Sequence, residues 1–424
     1  MSDVRLKLLG AAKEVGRAGI LVSTEEKNVL LDYGVSLSEE EPGFPLHVKP
    51  RLIDAVALSH AHLDHSGAIP LLYVSASPPL LSTTLTALLS ELLIRDFLKL
   101  SKYYVPYESS ELQKMMENVV YQEYGSAYDL GGGVEVRFYD AGHIPGSAII
   151  EVRTPSWRIV YTGDFNGENS CLLNRADLSP LKKADIVIME STYAEYDHPP
   201  REKNEEIFIG KLYEALEQGG TVLVPSFAVG RAQEILCVLA KHGFEFPVYL
   251  DGMAKTAGEI IRGEASLLRD PDIFEKAMSM AIKVRNWDMR KRIAEENAVI
   301  VSPAGMLKGG PSVYYMEKVM EKNENAVFFV SYLIPETPGR KVIETGIFSS
   351  PTKKGVVNAR VEWFDFSAHS GKSQLIQAIE ATKKDATIVI VHGREEPELK
   401  LAKAAEERGR KAIIPALGEE TVFK

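Results

Sequence analysis

Four side chains that can bind a divalent metal lie within six positions of the chain: His60, His62, Asp64 and His65. Imidazole and carboxylate donors are typical of zinc sites that keep one position open for water, whereas all-cysteine sets close a structural site. The chain has nine histidines among 424 residues, so chance is a poor explanation for this H-x-H-x-D-H string. The string therefore predicts a catalytic metal site.

The residues before this string predict how it is positioned. Residues 53–59 form an apolar run typical of a buried strand, so the histidines are expected where that strand ends. On an extended backbone, His60 and His62 would point to the same side and share one ion. Asp64 and His65 would follow on a turn with diverging side chains and would serve a second ion nearby. The spacing thus favours two neighbouring metals.

Further candidate donors recur where other predicted strands end. His143 follows the strand-like residues 134–139 after Asp140, and Asp164 follows residues 158–163. His392 follows residues 386–391 in the same way. This recurrence favours a binuclear site assembled at strand ends. The histidines left outside the pattern are expected at the surface, and they are His47, His198 and His242.

The order of these motifs resembles the metallo-β-lactamase fold. Its hallmark elements are represented by Asp32 in Leu-Leu-Asp-Tyr-Gly, by the string at 60–65, by His143 and by Asp164. After residues 190–193, the last strand and helix of that fold do not arrive for about 170 residues. The missing pieces then appear at residues 366–370, Phe-Ser-Ala-His-Ser, and at residues 391–394, Val-His-Gly-Arg. An insertion of this kind is the mark of the β-CASP nucleases.

Within that family the chain is most similar to archaeal relatives of the endonuclease subunit of the cleavage and polyadenylation specificity factor. Residues 225–234 and 302–311, inside the insertion, carry this similarity. A histidine at position 392 is typical of members that cut RNA rather than DNA. Only 59 residues precede His60, so the amino-terminal KH domains of some relatives are not expected. Residues 10–19 depart from the usual first motif, and we expect little catalytic consequence because no metal ligand is lost.

The resemblance implies an α/β fold, namely a metallo-β-lactamase αββα sandwich that is split by an inserted β-CASP domain. The expected parts are residues 1–195, the insertion at 196–360, and a completing part at 361–424. Predicted strands and helices alternate through the insertion, which indicates a mainly parallel sheet flanked by helices.

The resemblance also implies two zinc ions per chain. His60, His62 and His143 would hold one ion; Asp64, His65 and His392 would hold the other, with Asp164 as the bridge. A hydroxide shared by the two metals would cut RNA phosphodiester bonds and leave a 5′-phosphate and a 3′-hydroxyl. Asp32 would act from outside the ligand set, as an acceptor that orients a histidine or the water.

His369 is the candidate general acid, with Glu190 as its partner. A carboxylate beside an imidazole favours the proton-bearing form and fixes the orientation of the ring. The alternative is that these two residues only tie the two lobes of the protein together.

Several residues of the insertion and its flank are candidate RNA contacts. Backbone N–H groups of a glycine-rich turn, with a lysine beside them, could bind a phosphate at a helix start. A plain strand-to-helix turn is the alternative for these residues, which are Ser226, Arg231, Gly305, Lys308, Gly309 and Ser367. The basic residues within 283–292 are either an RNA track or a solvated helix face.

Composition sets outer limits on the function. An apolar content of 45% is ample for large cores, and Cys171 and Cys237 show no metal-binding spacing. We expect a cytoplasmic protein without a membrane partner, because no signal peptide or spanning run is evident. The net charge of −10 is unusual for an RNA-binding protein, but a pair of divalent metals would make the site itself attractive to phosphate.

Three alternatives stay open at this level: a DNA-processing nuclease of the same family, a small-molecule metallo-hydrolase, and a catalytically silent binding subunit. The last requires lost ligands, and none is lost. The sequence leaves open whether cutting is internal or proceeds from a 5′ end, and which RNA sequences are preferred. A homodimer is plausible from the resemblance alone.

Overall fold

The computed structural model describes residues 3–37, 41–101 and 105–424. Two compact units divide the chain. The first contains residues 1–169, 175–197 and 368–424, and the second contains residues 170–174 and 198–367.

The first unit begins with most of its strands. In chain order its elements up to the insertion are β1 (Val4–Leu8), β2 (Ile20–Ser23), β3 (Asn28–Leu31), β4 (Ala55–Ala57), α1 (Leu63–Ser66), β5 (Leu80–Ser82), α2 (Thr84–Ser101), α3 (Ser109–Glu117), β6 (Val119–Tyr121), β7 (Ala127–Asp129), β8 (Glu135–Asp140), β9 (Ala148–Arg153), β10 (Arg158–Tyr161) and β11 (Ile186–Glu190).

The second unit alternates helices and strands. Its elements are α4 (Arg201–Glu217), β12 (Val222–Pro225), α5 (Arg231–Lys241), β13 (Val248–Leu250), α6 (Ala254–Arg262), α7 (Pro271–Met280), β14 (Ile282–Lys283), α8 (Trp287–Ile293), β15 (Val299–Ser302), α9 (Gly310–Val319), β16 (Ala326–Phe329), α10 (Pro338–Thr345), β17 (Ile347–Ser349), β18 (Lys354–Val356) and β19 (Arg360–Trp363). The chain then returns to the first unit with α11 (Lys372–Ala381), β20 (Thr387–Val391), α12 (Glu395–Glu407), β21 (Lys411–Ile413) and β22 (Glu420–Phe423).

Two seven-stranded sheets pack face to face in the first unit. Their strand orders are β22-β1-β2-β3-β4-β5-β6 and β21-β20-β11-β10-β9-β8-β7. Inward-facing side chains of both sheets, such as Leu31, Phe138 and Val389, share one apolar core. Helices α2 and α3 cover the outer face of one sheet, and α11 and α12 cover the other. This is the predicted αββα sandwich, and the fold class is confirmed.

The sheet of the second unit is parallel in every pairing, in the order β14-β13-β15-β12-β16-β19. Its central strands are fully buried, as expected when helices cover both faces. One face packs against Tyr315 of α9, and Phe208 of α4 contacts Phe328 of β16 from the other face. The predicted parallel sheet of the insertion is therefore confirmed.

The unit boundaries differ from the domain limits drawn from the sequence. The limit at 360/361 would cut β19, whose backbone pairs with β16 of the second unit, so the structure moves it to 367/368. Residues 170–174 also belong to the second unit, because the buried carboxylate of Glu234 accepts from the N–H groups of Cys171 at 3.0 Å and Leu172 at 2.7 Å. Apolar periodicity along the sequence does not show contacts between residues that are far apart in the chain.

Two further findings bear on the composition. Among the described residues no helix is both long and apolar enough to cross a membrane. Cys171 and Cys237 are both buried free thiols.

Gly34 packs closely against the backbone of the H-x-H-x-D-H string at residues 60–65, and a substitution there tests this contact. A side-chain carbon added there would lie 1.8 Å from the carbonyl oxygen of Asp64 and 2.4 Å from the amide nitrogen of His65. We expect Gly34→Ala to force the backbone of α1 away and to destabilise the first unit by about 2 kcal/mol or more. The measurement is thermal unfolding followed by circular dichroism.

Gly210, in the middle of α4, is the matched control. It is exposed, and an added carbon there meets nothing within 4 Å. Gly210→Ala should stabilise the helix by roughly 1 kcal/mol, because alanine loses less backbone entropy than glycine. Equal melting temperatures for the two variants would contradict the close approach described at Gly34.

Candidate metal centre and catalytic site

The candidate donors lie where strands of the first unit end. Strands β3, β4 and β5 are parallel to one another, as are β10, β11 and β20. Because the carboxyl ends of parallel strands meet at one edge, the residues that follow them are brought together. The structure groups all seven predicted metal ligands there: His60, His62, Asp64, His65, His143, Asp164 and His392.

Asp164 lies at the centre of this group and is buried. Its carboxylate oxygens lie between 3.4 and 3.8 Å from the nearest nitrogens of four imidazoles, those of His60, His65, His143 and His392. Asp64 lies beside this group, and its Oδ2 is 3.5 Å from Nε2 of His392. Asp164 thus lies between the two predicted ligand sets.

The chemistry of these donors fits metal cations. Among the described residues, Nε2 of His60, Nε2 of His65 and Oδ1 of Asp164 are buried and make no hydrogen bond. Buried polar atoms are nearly always paired, so donors that face one another in this way suit a cation. Their ligand atoms fall into groups of three within 4.8 Å of one another.

The electrostatics of three imidazoles of the cluster agree with this. Burial lowers the pKa of His62 to about 4 and holds the pKa values of His60 and His143 well below the ordinary range. These rings are therefore neutral, the form that binds metal. Burial by itself would raise the pKa of Asp164, but His392 and His65 outweigh it and hold that pKa well below its usual value.

The local backbone of the metal string differs from the prediction. Strand β4 ends at Ala57, and His62 precedes the single helical turn of α1, so His60 and His62 do not extend the strand. The side chains of Asp64 and His65 do not diverge either, since Oδ2 and Nε2 are 4.0 Å apart. Tertiary hydrogen bonds orient this turn, including Tyr33 N–H to the carbonyl of His65 at 2.8 Å.

Asp32 is buried behind the candidate ligands and contacts one of them directly. Its Oδ2 lies 2.7 Å from Nδ1 of His65, so a proton on Nδ1 is donated to Asp32 and Nε2 faces the cluster. The same carboxylate accepts from Ser59 Oγ at 2.6 Å and from Tyr161 Oη at 2.9 Å. This contact supports the orienting role predicted for Asp32.

Ser59 and Tyr161 were missed by the sequence reasoning. The Ser59 hydroxyl reaches both Asp32 and, at 3.1 Å, Nδ1 of His60. Tyr161 ends β10, three residues before Asp164, and is fully buried. A buried tyrosine hydroxyl requires a partner, and its proximity to Asp164 in the sequence was the available signal.

His369 and Glu190 form the predicted pair. Nδ1 of His369 lies 3.0 Å from both carboxylate oxygens of Glu190, which is buried at the end of β11. Burial lowers the pKa of His369, but Glu190 and Asp164 more than offset this and raise it to about 9. Both residues belong to the first unit, so the alternative that the pair ties two lobes together is wrong.

His369 also belongs to a possible donor group that the sequence did not predict. Its Nδ1 lies 3.9 Å from Oδ2 of Asp164, and its ring centroid is 4.6 Å from that of His143. The group His143, Asp164 and His369 could itself hold an ion. This group gives His369 a second candidate role beside that of a general acid.

The six candidate RNA contacts all belong to the second unit. Ser226, Gly305 and Ser367 are buried, so little of their surface is accessible. An added carbon at Gly305 would lie 3.2 Å from the backbone of Ser226, which explains the glycine. Accessible surface is left at Arg231, Lys308 and Gly309, the last of which caps α9.

The basic stretch 283–292 is largely paired with acids. Arg290 makes two hydrogen bonds to Asp251, at 2.6 and 3.0 Å, and Lys283 contacts Glu259. These pairs favour the solvated helix face over an RNA track.

Two of the three histidines expected at the surface have acidic partners. His47 is exposed, and His242 is partly buried beside Glu205. His198 is largely buried, with Nδ1 2.7 Å from Asp365, so the surface prediction is wrong for it. This contact, which joins residues 167 positions apart, explains its burial.

Three family models match the chain. The metallo-beta-lactamase superfamily model matches residues 14–211, the Beta-Casp domain model matches residues 232–342, and a model described as a Zn-dependent metallo-hydrolase RNA specificity domain matches residues 354–415. Their order agrees with a sandwich interrupted by an insertion.

Named relatives match over nearly the full length of the chain. "RNase aCSPSF2" of Saccharolobus solfataricus is 42% identical over 98% of this chain and 84% of its own length. "Probable RNase MJ4" of Methanocaldococcus jannaschii is 36% identical, over 97% and 98% of the two chains. "Transcription termination factor FttA" of the same organism is 34% identical, over 92% of this chain and 67% of that protein.

A solved structure, a protein of unknown function from Enterococcus faecalis V583, covers 99% of this chain and 100% of its own with a TM-score of 0.63. At 15% identity it shows the fold alone. The family models and the archaeal relatives show more: the chain belongs to the β-CASP family of the metallo-β-lactamase superfamily.

Proposed function

We propose that this protein is a metal-dependent ribonuclease that hydrolyses RNA phosphodiester bonds. The observation that carries the proposal is the convergence of six histidine and aspartate donors around a seventh, Asp164, with the Glu190–His369 pair beside them. The names of the relatives at 42% and 36% identity support RNA as the substrate class.

Two zinc ions fit the donors best. His60, His62 and His143 would hold one ion, and Asp64, His65 and His392 the other, with Asp164 between them. Such a metal pair, when bound, supplies Lewis acidity that lowers the pKa of a water and neutralises charge that develops on the phosphate. Asp32 and Ser59 keep the histidine rings turned towards the ions through the hydrogen bonds described above.

His143 is held in the same way from another side. Its Nδ1 lies 2.8 Å from the carbonyl oxygen of Ala368, so Nδ1–H is donated to that carbonyl and Nε2 faces Asp164. Ala368 directly precedes His369, and one short segment therefore places both the ring of a metal ligand and the candidate acid.

His369 is proposed to give a proton to the 3′-oxygen that leaves. Glu190 stabilises the protonated ring and fixes its orientation through Nδ1. Proton delivery to that oxygen yields a 3′-hydroxyl on one fragment and leaves the phosphate on the 5′ end of the other.

The alternatives are weaker but distinct in their outcomes. A small-molecule hydrolase would not need the domain at residues 354–415, whose family model is described as an RNA specificity domain. A DNA nuclease is not supported by the relatives, two of which are named as RNases. A homodimer is still a prediction of the resemblance alone.

Digestion of matched RNA and DNA strands, each labelled at one end, tests the proposed function. We expect cleavage of RNA that stops on addition of a metal chelator and resumes on addition of zinc. Preferential cleavage of DNA, or turnover of a thioester or lactam without cleavage of RNA, would contradict the proposal. Internal fragments or a nucleotide ladder would report the mode of cutting.

Two variants separate ligand from acid. Asp164→Ala should lose bound metal, because it removes the carboxylate nearest four histidines. His369→Ala should retain metal and lose roughly 100- to 10,000-fold in turnover, the usual contribution of a positioned general acid. Metal content by atomic spectroscopy and single-turnover cleavage are the measurements. Comparable metal loss in the two variants would identify His369 as a ligand instead.

Accessible cations of the second unit are proposed to contact RNA phosphate. We expect Arg231→Ala with Lys308→Ala to weaken RNA binding and to lower its salt dependence, because each lost phosphate contact reduces counterion release. Zinc content should not change. Lys354→Ala, at an exposed lysine of β18 in the same unit, is the control; an equal effect of that change would point to net charge and not to a site.

A further inference from the structure

Tyr196 is an exposed aromatic residue of the first unit that the proposed mechanism does not use. It lies between β11 and the insertion, and 45% of it is exposed. A single exposed tyrosine on a protein surface is ordinary and needs no explanation. The contacts of this one connect it with the candidate acid, and those contacts call for an explanation.

A buried tyrosine joins Tyr196 to His369. The ring of Tyr193 is 2% exposed, and its centroid lies 5.3 Å from that of Tyr196 and 5.8 Å from that of His369. The two tyrosine rings are inclined at 89°, the edge-to-face arrangement that aromatic pairs favour. The side chain of His369 is itself 19% exposed. Two accessible groups, the candidate acid and the Tyr196 ring, therefore contact the same buried ring.

Backbone contacts fix this aromatic group relative to the acid. Tyr193 forms a β-bridge with Gly371, which lies two residues after His369. The N–H of Lys372 donates to the carbonyl of Tyr196 at 3.0 Å. Both tyrosines are thus attached to the residues that directly follow His369, and all of these residues belong to the first unit.

The start of α11 strengthens the attachment and adds a positive charge. Asp197 accepts from the N–H and from the hydroxyl of Ser373, both at 2.7 Å, so its negative charge is engaged at a helix start that favours it. Lys372 is exposed beside this contact. The ring of Tyr196 therefore has a cation next to it. Surfaces that bind single-stranded nucleic acid combine aromatic rings, which contact bases, with cations along the backbone.

The proposed chemistry decides which part of an RNA could reach this ring. The 3′-oxygen that is proposed to receive a proton from His369 belongs to the nucleotide on the 5′ side of the cut. Tyr196 is two ring contacts away from His369, on a surface that solvent reaches. Unpaired RNA bases readily stack on aromatic side chains. A base on the 5′ side of the cut is thus the group that fits this position.

We propose that Tyr196 stacks on a base of the RNA on the 5′ side of the cleaved bond and so helps to hold the leaving oxygen at His369. This inference rests on the proposed function, since it takes RNA as the substrate and His369 as the acid. Stacking of one base on an aromatic side chain contributes about 5- to 150-fold to affinity. Every base has a π face, so this contact selects an unpaired base and not a particular sequence.

The experiment measures single-turnover cleavage of an end-labelled single-stranded RNA by zinc-loaded protein over a range of protein concentrations. Tyr196→Ala should raise the protein concentration that gives half the maximal rate by about 5- to 150-fold. Tyr196→Phe and Tyr196→Trp should restore it, because they keep an aromatic ring, whereas the apolar Tyr196→Leu should not. The control Tyr121→Ala removes a tyrosine that is 54% exposed on the edge strand β6, and it should behave as the unmodified protein does.

RNA that lacks single bases identifies the stacked nucleotide. Loss of the stacked base on the 5′ side of the cut should weaken the unmodified protein as much as Tyr196→Ala does. The same substrate should not weaken Tyr196→Ala further, because the base and the ring act as a pair. Loss of a base on the 3′ side should leave the difference between the two proteins intact.

Several outcomes would overturn the inference. An unchanged half-maximal concentration for Tyr196→Ala would do so, and so would a phenylalanine variant as weak as the alanine variant, which would assign the role to the hydroxyl. A defect of Tyr196→Ala that persists with every abasic substrate would show that the ring does not contact a base. Lowered melting temperatures with loss of zinc in the alanine and leucine variants would show a merely structural role. No cleavage of RNA by the unmodified protein would defeat the proposed function itself, whereas each of the other results is obtained against an active unmodified protein.

Discussion

The burial of one carboxylate, that of Asp164, is the constraint on which the site depends. A charged group out of water is costly unless opposite charge or hydrogen bonds compensate for it. Here four imidazoles lie within 3.8 Å of its oxygens, and they come from three separate stretches of the chain. The chain must therefore close completely around Asp164 before this burial is compensated, and the same closure creates the arrangement of donors that suits a metal pair.

The two sheets position the donors precisely, because the segments that carry them directly follow strand ends around the carboxylate. Asp32 and His392 both have positive φ, and both lie directly after parallel strands. Gly34 permits a close approach of the backbone at Asp64, and Gly393 a close approach of the Ser191 hydroxyl, that a side chain at either position would obstruct. The backbone thus adopts unfavourable conformations at the points where side chains must be oriented. The packing of the sandwich supplies the stability that offsets the cost of these conformations.

The insertion interrupts the first unit in the sequence, but the candidate metal ligands and the Glu190–His369 pair all belong to that unit. Residues 198–367 form a unit with its own parallel sheet and core, while His369 and His392 follow it in the chain and complete the site in the first unit. Strand β20 pairs with β11, which precedes the insertion, along five residues. Because β11 also positions Glu190, this pairing fixes both the candidate acid pair and the last candidate metal ligand, His392.

The sequence by itself determined the donor types and their placement after strands, because residue spacing and apolar periodicity are local properties of the chain. The split αββα architecture was implied by the resemblance to a known family. The sequence also indicated the parallel sheet of the insertion from alternating strands and helices. It could not give the helical turn at Leu63–Ser66, the exit at 367/368, or the contacts of Ser59 and Tyr161 with Asp32. Those depend on which strands pair and which buried polar groups then face one another, and only the tertiary structure decides that.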